Sequence, residues 1–420
     1  MLIVDPLLDF EFICKEKSDD IYFKYNKPKL IKTVLKNDFP WEGECNGYYS
    51  IIKDNNNIYK LYYRANKCSI RTGHEESTTY NLLCVALSVD GINFEKPKLD
   101  IVLNNTNIIL KDDCCSNICP IYLPEINTYF SIGGVEFDSK GIFLYISENG
   151  IYWNKIKKII DSNSLLKDWN HINHFDSLNT LIFDKYSKKY LIYVRHNQHL
   201  PRLRQIQYTT TTDFNNFTPF NKISFYNECN IELYTNHIIQ YPYSPFYIGF
   251  PTIHDEQTFK KFTSIMFSRD GIKWTNPKIN FFVDDISNMC VYNFVEDPHK
   301  QSFYIYRELL STNEIECYAI EKDKLGLISS NNNIENYFTI ELILKTNKFF
   351  ILTNINKDGY VFIEIYDKNN VLLCASPKII NTIDTFQEFI MEHLNINNVV
   401  KVKIIFLNAV INSIKYDTII

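Results

Sequence analysis

Short runs of apolar and aromatic residues recur along most of the chain, separated by Asn, Asp, Gly, Ser and Lys. YYSII, YKLYYR and LLCVALS form one group of three; ICPIYL, YFSIGG and IFLYIS form a second. TLIFD, YLIYVR and IQYTTT form a third, HIIQYP, FYIGFP and SIMFS a fourth, and CVYNFV, FYIYRE and CYAIE a fifth. Runs this short, rich in β-branched and aromatic residues and bounded by turn formers, predict strands rather than helices.

The third run of each group leads into a recurring turn: ALSVDGINFEKP, YISENGIYWNKI, TTTDFNNFTPF and FSRDGIKWTNP. Their turn residues Asp90, Asn149, Asp213 and Asp270 stand about 60 residues apart, a period that marks a repeat architecture. A degenerate copy, AIEKDKLGLISS, places Asp323 at the next step. Asp or Asn before Gly supplies the positive φ of a tight hairpin. The aromatics that follow (Phe94, Trp153, Phe217, Trp274) are expected to pack between neighbouring sheets, and a fourth, outer strand is expected after each turn. These motifs read as structural, with no chemistry of their own. The expectation is an all-β chain: a five-bladed β-propeller over residues 1–335 followed by a small β-sandwich over 336–420. In that second part FTIELIL, KFFILTNI, YVFIEIYD, VLLCAS and VVKVKIIFL read as strands without the turn motif, and TFQEFIMEHL as a short helix or a strand edge. Its long aliphatic strands favour a capping role over sugar binding.

Composition narrows the function. Aromatics are 15% and charged residues 22% of 420 residues, as in a folded globular protein. The net charge is −5 with no strongly basic stretch, which argues against nucleic acid as a partner. No apolar run approaches a membrane span. The opening MLIVDPLLDFEFICKEK has no basic lead and is interrupted by Asp5, Asp9 and Glu11, so no signal peptide is expected, and the protein is placed in the cytoplasm or among non-classically exported proteins. The sequons at Asn104 and Asn216 would matter only in a secretory pathway. Eleven cysteines, an odd number, fit reduced thiols. CCSNICP lacks a second ligand pair at zinc spacing, and HINH is read as loop histidines, so no metal site is assigned.

In a propeller the innermost strands line one axis, so the residues just before them converge. Those approaches carry Glu42 and Glu44, Asp112 and Asp113, Asp176, Glu232, and Asp284 and Asp285. Three second strands end in arginine, at Arg64, Arg195 and Arg307, with Arg202 and Arg204 just beyond. Each arginine fits a structural ion pair as readily as a site. Where cations hold some carboxylates ionised and burial keeps another protonated, one acid and one base result. Tyr63, Tyr234, Tyr241 and Tyr306 would add faces for stacking on sugar rings.

With LIVDPLLD, FPWEGE, KLYYR, ALSVDGINFEKP, NNTNIIL, HFDSLN, YLIYVR, ELYTN and FYIGFP in this order, the chain resembles the five-bladed β-propeller glycoside hydrolases, the superfamily of invertase-like family 32 and arabinanase-like family 43. LTNINKDGYVFIEIYDKNN and KVKIIFL resemble the β-sandwich that often follows. The resemblance implies glycosidic bond hydrolysis by channel carboxylates on a carbohydrate partner, with no cofactor needed; a structural Ca²⁺ held by channel carboxylates and carbonyls stays open. Carried over, it marks Asp176 in HFDSLN and Glu232 in ELYTN as the principal pair and Glu44 as a third, with Glu232 as acid and Asp176 or Glu44 as nucleophile or base. Arg64, Arg195 and Arg202 would bind hydroxyls or an anionic group, with Tyr234 and Asn117 completing the substrate-binding set. The first-blade Asp of the invertase-like pattern has no clear counterpart, and CCSNICP replaces a more regular polar motif. A non-catalytic carbohydrate-binding or structural propeller therefore stays open as the alternative. A sialidase is a weaker third reading, since six blades would be expected.

Overall fold

The computed structural model describes residues 2–43, 47–65, 81–135, 141–166, 175–198, 203–255, 258–277, 280–282, 284, 286–346, 348–380, 384–390 and 399–418. The chain is all-β, and the one α-helix among the described residues is the single turn Phe10–Ile13. Contacts divide the chain into two compact units, one of residues 28–240 and 247–319 and the other of residues 1–27, 241–246 and 320–420.

The larger unit carries the repeat. Its first sheet orders Gly47–Lys53, Tyr59–Ala65, Leu82–Ser88 and Ile108–Lys111 side by side; its second orders Ile121–Leu123, Thr128–Val135, Gly141–Ser147 and Asn154–Asp161. The third is Thr180–Asp184, Lys189–Gln198, Leu203–Thr211 and Asn221–Lys222. The fourth runs Ile238–Gln240, Tyr247–Gly249, Met266–Ser268, Lys273–Trp274 and Ser224–Phe225. The fifth runs Asn288–Cys290, Ser302–Leu309, Glu314–Glu321 and Lys29–Lys36, with Val295–Glu296 also on Ser302–Leu309. Each sheet is a meander of antiparallel neighbours, the parallel pairing of Ser224–Phe225 with Lys273–Trp274 excepted.

Hydrogen bonds link these sheets in a cycle. Tyr62 Oη donates to Gly150 O at 3.0 Å (first to second), Asn117 Nδ2 to Phe175 O at 2.6 Å (second to third) and Thr180 Oγ1 to Asn236 Oδ1 at 2.8 Å (third to fourth). Thr263 Oγ1, in a short separate sheet (Leu233–Thr235, Thr252–His254, Lys261–Thr263) that continues the fourth, donates to Asn288 Oδ1 of the fifth at 2.7 Å, and Tyr292 N to Tyr49 O at 2.8 Å, which returns from the fifth sheet to the first. The apolar clusters also lie between consecutive sheets: Ile52, Tyr62 and Val85 against Ile118, Tyr129 and Tyr145; Ile132 and Leu144 against Ile192 and Val194; Ile182 and Tyr193 against Tyr247 and Met266; Leu61 and Tyr63 against Tyr304 and Tyr306. Face-to-face burial of successive sheets around a cycle is propeller packing.

The repeated turns perform the structural task expected. Asp90 Oδ1 accepts from Ile92 N and Asn93 N, both at 2.8 Å, and Asp270 Oδ1 does the same for Ile272 N and Lys273 N. Gly91, Gly150 and Gly271 follow at φ of 77°, 74° and 75°, the left-handed region that glycine enters without strain. Trp153 sits edge-on to Tyr62 of the first sheet and to Tyr129 of the second. The outer strand of the fifth sheet departs from the expectation: it does not follow its turn but comes from Lys29–Lys36. Early chain supplies it, so the last sheet keeps a covered edge.

The smaller unit is one nine-stranded sheet built on two 19-residue strands, Lys348–Tyr366 and Val399–Asp417, paired over most of their length. Irregular register where Ile355 gives way to Tyr360 bends the long pair. Leu2–Asp5 pairs with Val399–Asp417, Glu16–Lys17 with Asn336–Ile343, and Ile21–Tyr25 with Gly326–Ser330. The first 27 residues therefore lie with the C-terminal strands, not in the propeller as a boundary at 335/336 would have it. The reason is pairing: three short strands of this segment hydrogen-bond to strands of this sheet. Thr385–Ile390, within TFQEFIMEHL, is strand rather than helix.

Candidate functional site

The site grows from an irregularity in the fourth sheet. Its strands break at Asn236-His237, Phe250-Pro251 and Ser264-Ile265, then continue as a small separate sheet of Leu233–Thr235, Thr252–His254 and Lys261–Thr263. Pro251 lacks an amide hydrogen to give the ladder; Phe250 N turns to His237 O at 2.9 Å, and Ser264 N to Pro251 O at 2.8 Å. Burial pushes the His237 imidazole down to about 3, so a neutral ring fills the break. The extension carries Glu232, Tyr234, His254 and Lys261.

Glu232 is gripped from two sides. Arg204 Nη1 meets its Oε1 at 2.8 Å and His254 Nδ1 lies 3.3 Å from its Oε2. Tyr234 beside it faces three cations: Lys261 Nζ is 4.0 Å from the ring centre, Arg204 Cζ 5.0 Å and Arg195 Cζ 5.7 Å. Arg195 Nη2 also donates to Tyr234 O at 3.2 Å.

Asp176 is exposed on a loop tied down from both flanks. Asn117, from the second sheet, donates Nδ2 to Phe175 O, and from the fourth sheet Asn236 Nδ2 reaches Leu178 O at 3.1 Å. Asn117 was expected to bind substrate. Its buried amide instead holds backbone, giving Nδ2 also to Gly134 O at 3.2 Å and accepting from Gly134 N at 3.0 Å.

The first sheet contributes a bulge. Gly47 pairs with Arg64 but Ser50 with Tyr62, so one extra residue is inserted. Gly47 takes φ 138° and Tyr48 φ 50°, the latter strained for a bulky residue. The Arg64 guanidinium stacks 4.7 Å from the Tyr48 ring centre. Burial and then the Asp176 carboxylate push the Tyr48 phenol up to about 12, against the opposing pull of Arg64 and Arg195. Tyr48, Asp176, Arg64 and Arg195 thus share one electrostatic neighbourhood.

The fifth sheet adds Glu308, only 3% exposed. Burial raises its carboxyl from 4.5 to about 7, although Arg64 and Lys261 pull the other way. A chain of neighbours therefore runs from Glu308 through Arg64, Tyr48, Arg195 and Tyr234 to Lys261 and back to Glu308, with Asp176 acting on Tyr48 as well.

Of the residues singled out from the sequence, Asp176, Glu232, Arg64, Arg195 and Tyr234 fall in or beside this cluster. Glu44, Arg202, Asp285, His171 and His174 lie outside the described residues. Several others have structural duties. Buried Glu42 accepts from Asp38 N, Phe39 N, Tyr63 Oη and Lys96 Nζ. Asp112 accepts from Tyr145 Oη and Lys155 Nζ. Arg307, 1% exposed, donates to Glu316 Oε2 and Asp284 Oδ1, both at 2.7 Å, and these bonds hold Asp284 below the usual carboxylate range. Tyr306 Oη donates to Gly91 O, and Tyr241 belongs to the other unit. Among the described residues no His, Cys, Asp and Glu group has metal-binding geometry, and no helix is long and apolar enough to cross a membrane.

Glu308, Tyr48 and Lys261 were missed. Glu308 lies within the second strand of its sheet, Ser302–Leu309, and not in an approach to an innermost strand. Its signal was an acid inside the apolar run FYIYRELL. Since successive strand residues face opposite ways, Arg307 and Glu308 cannot share a role.

No protein-family profile matches the chain, and no curated protein does. Solved structures do resemble it. One described as a glycoside hydrolase aligns over 70% of this chain and 92% of its own, at 11% identity and TM-score 0.48. A glycosyl hydrolase from Bacteroides ovatus covers 74% of this chain and 97% of its own, at 13% identity and TM-score 0.45. The alpha-L-arabinanase of Penicillium chrysogenum complexed with arabinobiose covers 72% and 99%, at 11% identity and TM-score 0.42.

Proposed function

We propose that the protein is a glycoside hydrolase whose reaction is run by carboxylates of the larger unit. The observation that carries this reading is Glu308: a buried carboxyl raised to about 7, within reach of the fields of Arg64 and Lys261, in a cluster that also holds Asp176 and Glu232. A carboxyl that keeps its proton near neutral pH is what protonating a leaving glycosidic oxygen requires. Glu308 takes that role rather than Glu232, because Arg204 and His254 grip Glu232 as an ion-paired acceptor. Asp176, exposed and tethered on a fixed loop, is the nucleophile or the base that activates water. Glu232 orients its neighbours and balances their charge. Tyr48 and Tyr234 offer aromatic faces to the sugar, and Arg64 and Arg195 offer donors to its hydroxyls.

The test is release of sugar from a panel of aryl glycosides and oligosaccharides, furanosides included, by wild type, Glu308→Gln and Asp176→Asn across pH 5–8. Release by wild type alone supports the reading. No release by wild type on any substrate, alongside glycan binding shared by all three, would replace it with the carbohydrate-binding alternative.

A further inference from the structure

The charge around Tyr234 does not suit a neutral sugar alone. Lys261, Arg204 and Arg195 all lie within 5.7 Å of that ring's centre, on a chain whose net charge is −5. Like charges gathered so closely repel one another, so the arrangement wants an anion. Glu232 is matched by Arg204 and His254, and Asp176 projects from the third sheet beside Tyr48. Among the described residues the Lys261 ammonium makes no hydrogen bond or ion pair; its neighbours are the Tyr234 face and the field of Glu308. Its stem is half-buried on the short strand Lys261–Thr263, whose backbone is held by Lys261 N donating to Ser287 Oγ at 2.9 Å. An ammonium 4.0 Å and a guanidinium 5.0 Å from the centre of one aromatic ring offer two donors to a negatively charged oxygen group docked beside that ring.

We infer that the glycan taken by this site carries an anionic substituent (a carboxylate, sulfate or phosphate ester) that docks on Lys261 and Arg204 beside Tyr234. The inference rests on the carbohydrate reading above and narrows it to a substrate class. The sugar ring stacks on the tyrosines while the charged group selects for acidic glycans over neutral ones of the same size.

The experiment is calorimetric binding to the full chain with matched pairs: trigalacturonate against its methyl ester, 6-O-sulfated lactose against lactose, and methyl mannoside 6-phosphate against methyl mannoside. Wild type, Lys261→Met and Lys261→Arg are compared at low and high salt, with thermal melts to confirm folding. The charged member of at least one pair should bind about tenfold or more tighter in wild type, and the favoured pair identifies the anion. Lys261→Met should bring that ratio close to one, Lys261→Arg should keep most of it, and salt should reduce it. Equal binding within every pair, or a preference that survives in Lys261→Met, overturns the inference while leaving the carbohydrate reading intact. Failure of wild type to bind or cleave any glycan, neutral or charged, defeats both.

Discussion

Glu308 and Arg64 face each other across Gly47. A β-carbon at Gly47 would stand 3.7 Å from Arg64 Nη2 and 3.9 Å from Glu308 Oε1. Bare backbone between them lets a cation of the first sheet influence an acid of the fifth. The acid nonetheless stays high, at about 7, because burial outweighs the guanidinium.

Replacing Glu308 by Gln should lower turnover about 10²–10⁴-fold, the range for loss of a positioned general acid. Wild-type kcat/KM should fall as pH rises past about 7, where Glu308 loses its proton, and the variant should lack that limb. A variant that retains both its rate and the limb would remove Glu308 from the reaction.

Stability should carry the same signature. The folded pKa of about 7 lies above the ordinary 4.5, so between these values the folded state holds a proton that the unfolded state has lost. Stability from this group is greatest below pH 4.5, falls as pH rises through the window, and is lowest above 7. Urea unfolding at pH 5 and pH 8 should show Glu308→Gln gaining on wild type at the higher pH, by on the order of a few kcal/mol. A difference independent of pH would contradict the assignment.

Gly47→Ala meets only ordinary van der Waals contacts, so its effect must come from the backbone, held at φ 138°. The cost should be on the order of 1–3 kcal/mol. Because Tyr48 follows in the same bulge, KM should rise as the ring moves off Arg64; steady-state kinetics with a melting curve separates the two effects.

Asn117→Ala should leave the second sheet folded but remove its bond to Phe175 O, which keeps only its local donors Ser177 N and Asn179 Nδ2, so the Asp176 loop loses its anchor to the second sheet. The expected result is a reduced kcat with little change in KM and a loss of about 1 kcal/mol or somewhat more for the buried bonds to Phe175 and Gly134 that are removed. Equal losses in affinity would instead place Asn117 against substrate.

Arg307→Met should be far more damaging to stability than to chemistry. It strands Asp284 and Glu316 in a partly buried setting, a change that costs about 3–5 kcal/mol where one member of a buried pair is removed. Denaturant titration measures it.

The repeat was legible because each turn depends on local chemistry: an Asx side chain capping two amides, a residue at positive φ and an aromatic ring recur wherever a sheet needs them. That Asp176, Glu232, Arg64, Arg195 and Tyr234 come close to one another was legible because strand ends converge in this architecture; their roles remain a proposal. What stayed hidden depends on distant partners. Nothing near Glu308 in sequence tells that Arg64 and Lys261 will enclose it, and nothing near Glu42 tells that Lys96 and Tyr63 will occupy its oxygens. The ownership of residues 1–27 was hidden for the same reason, since their pairing partners lie more than 300 residues away.

Lys29–Lys36 pairs with Glu314–Glu321, so this strand leaves the ribosome before almost the whole repeat and waits for it before it finds its neighbour. During synthesis the four earlier sheets can gather in order, but the last cannot acquire its edge until its own strands emerge. Closure is then a late, long-range pairing of the kind that slows folding. Until it happens, the ends of the array are open to strand exchange with other nascent chains, and Glu308 and Arg64 remain apart.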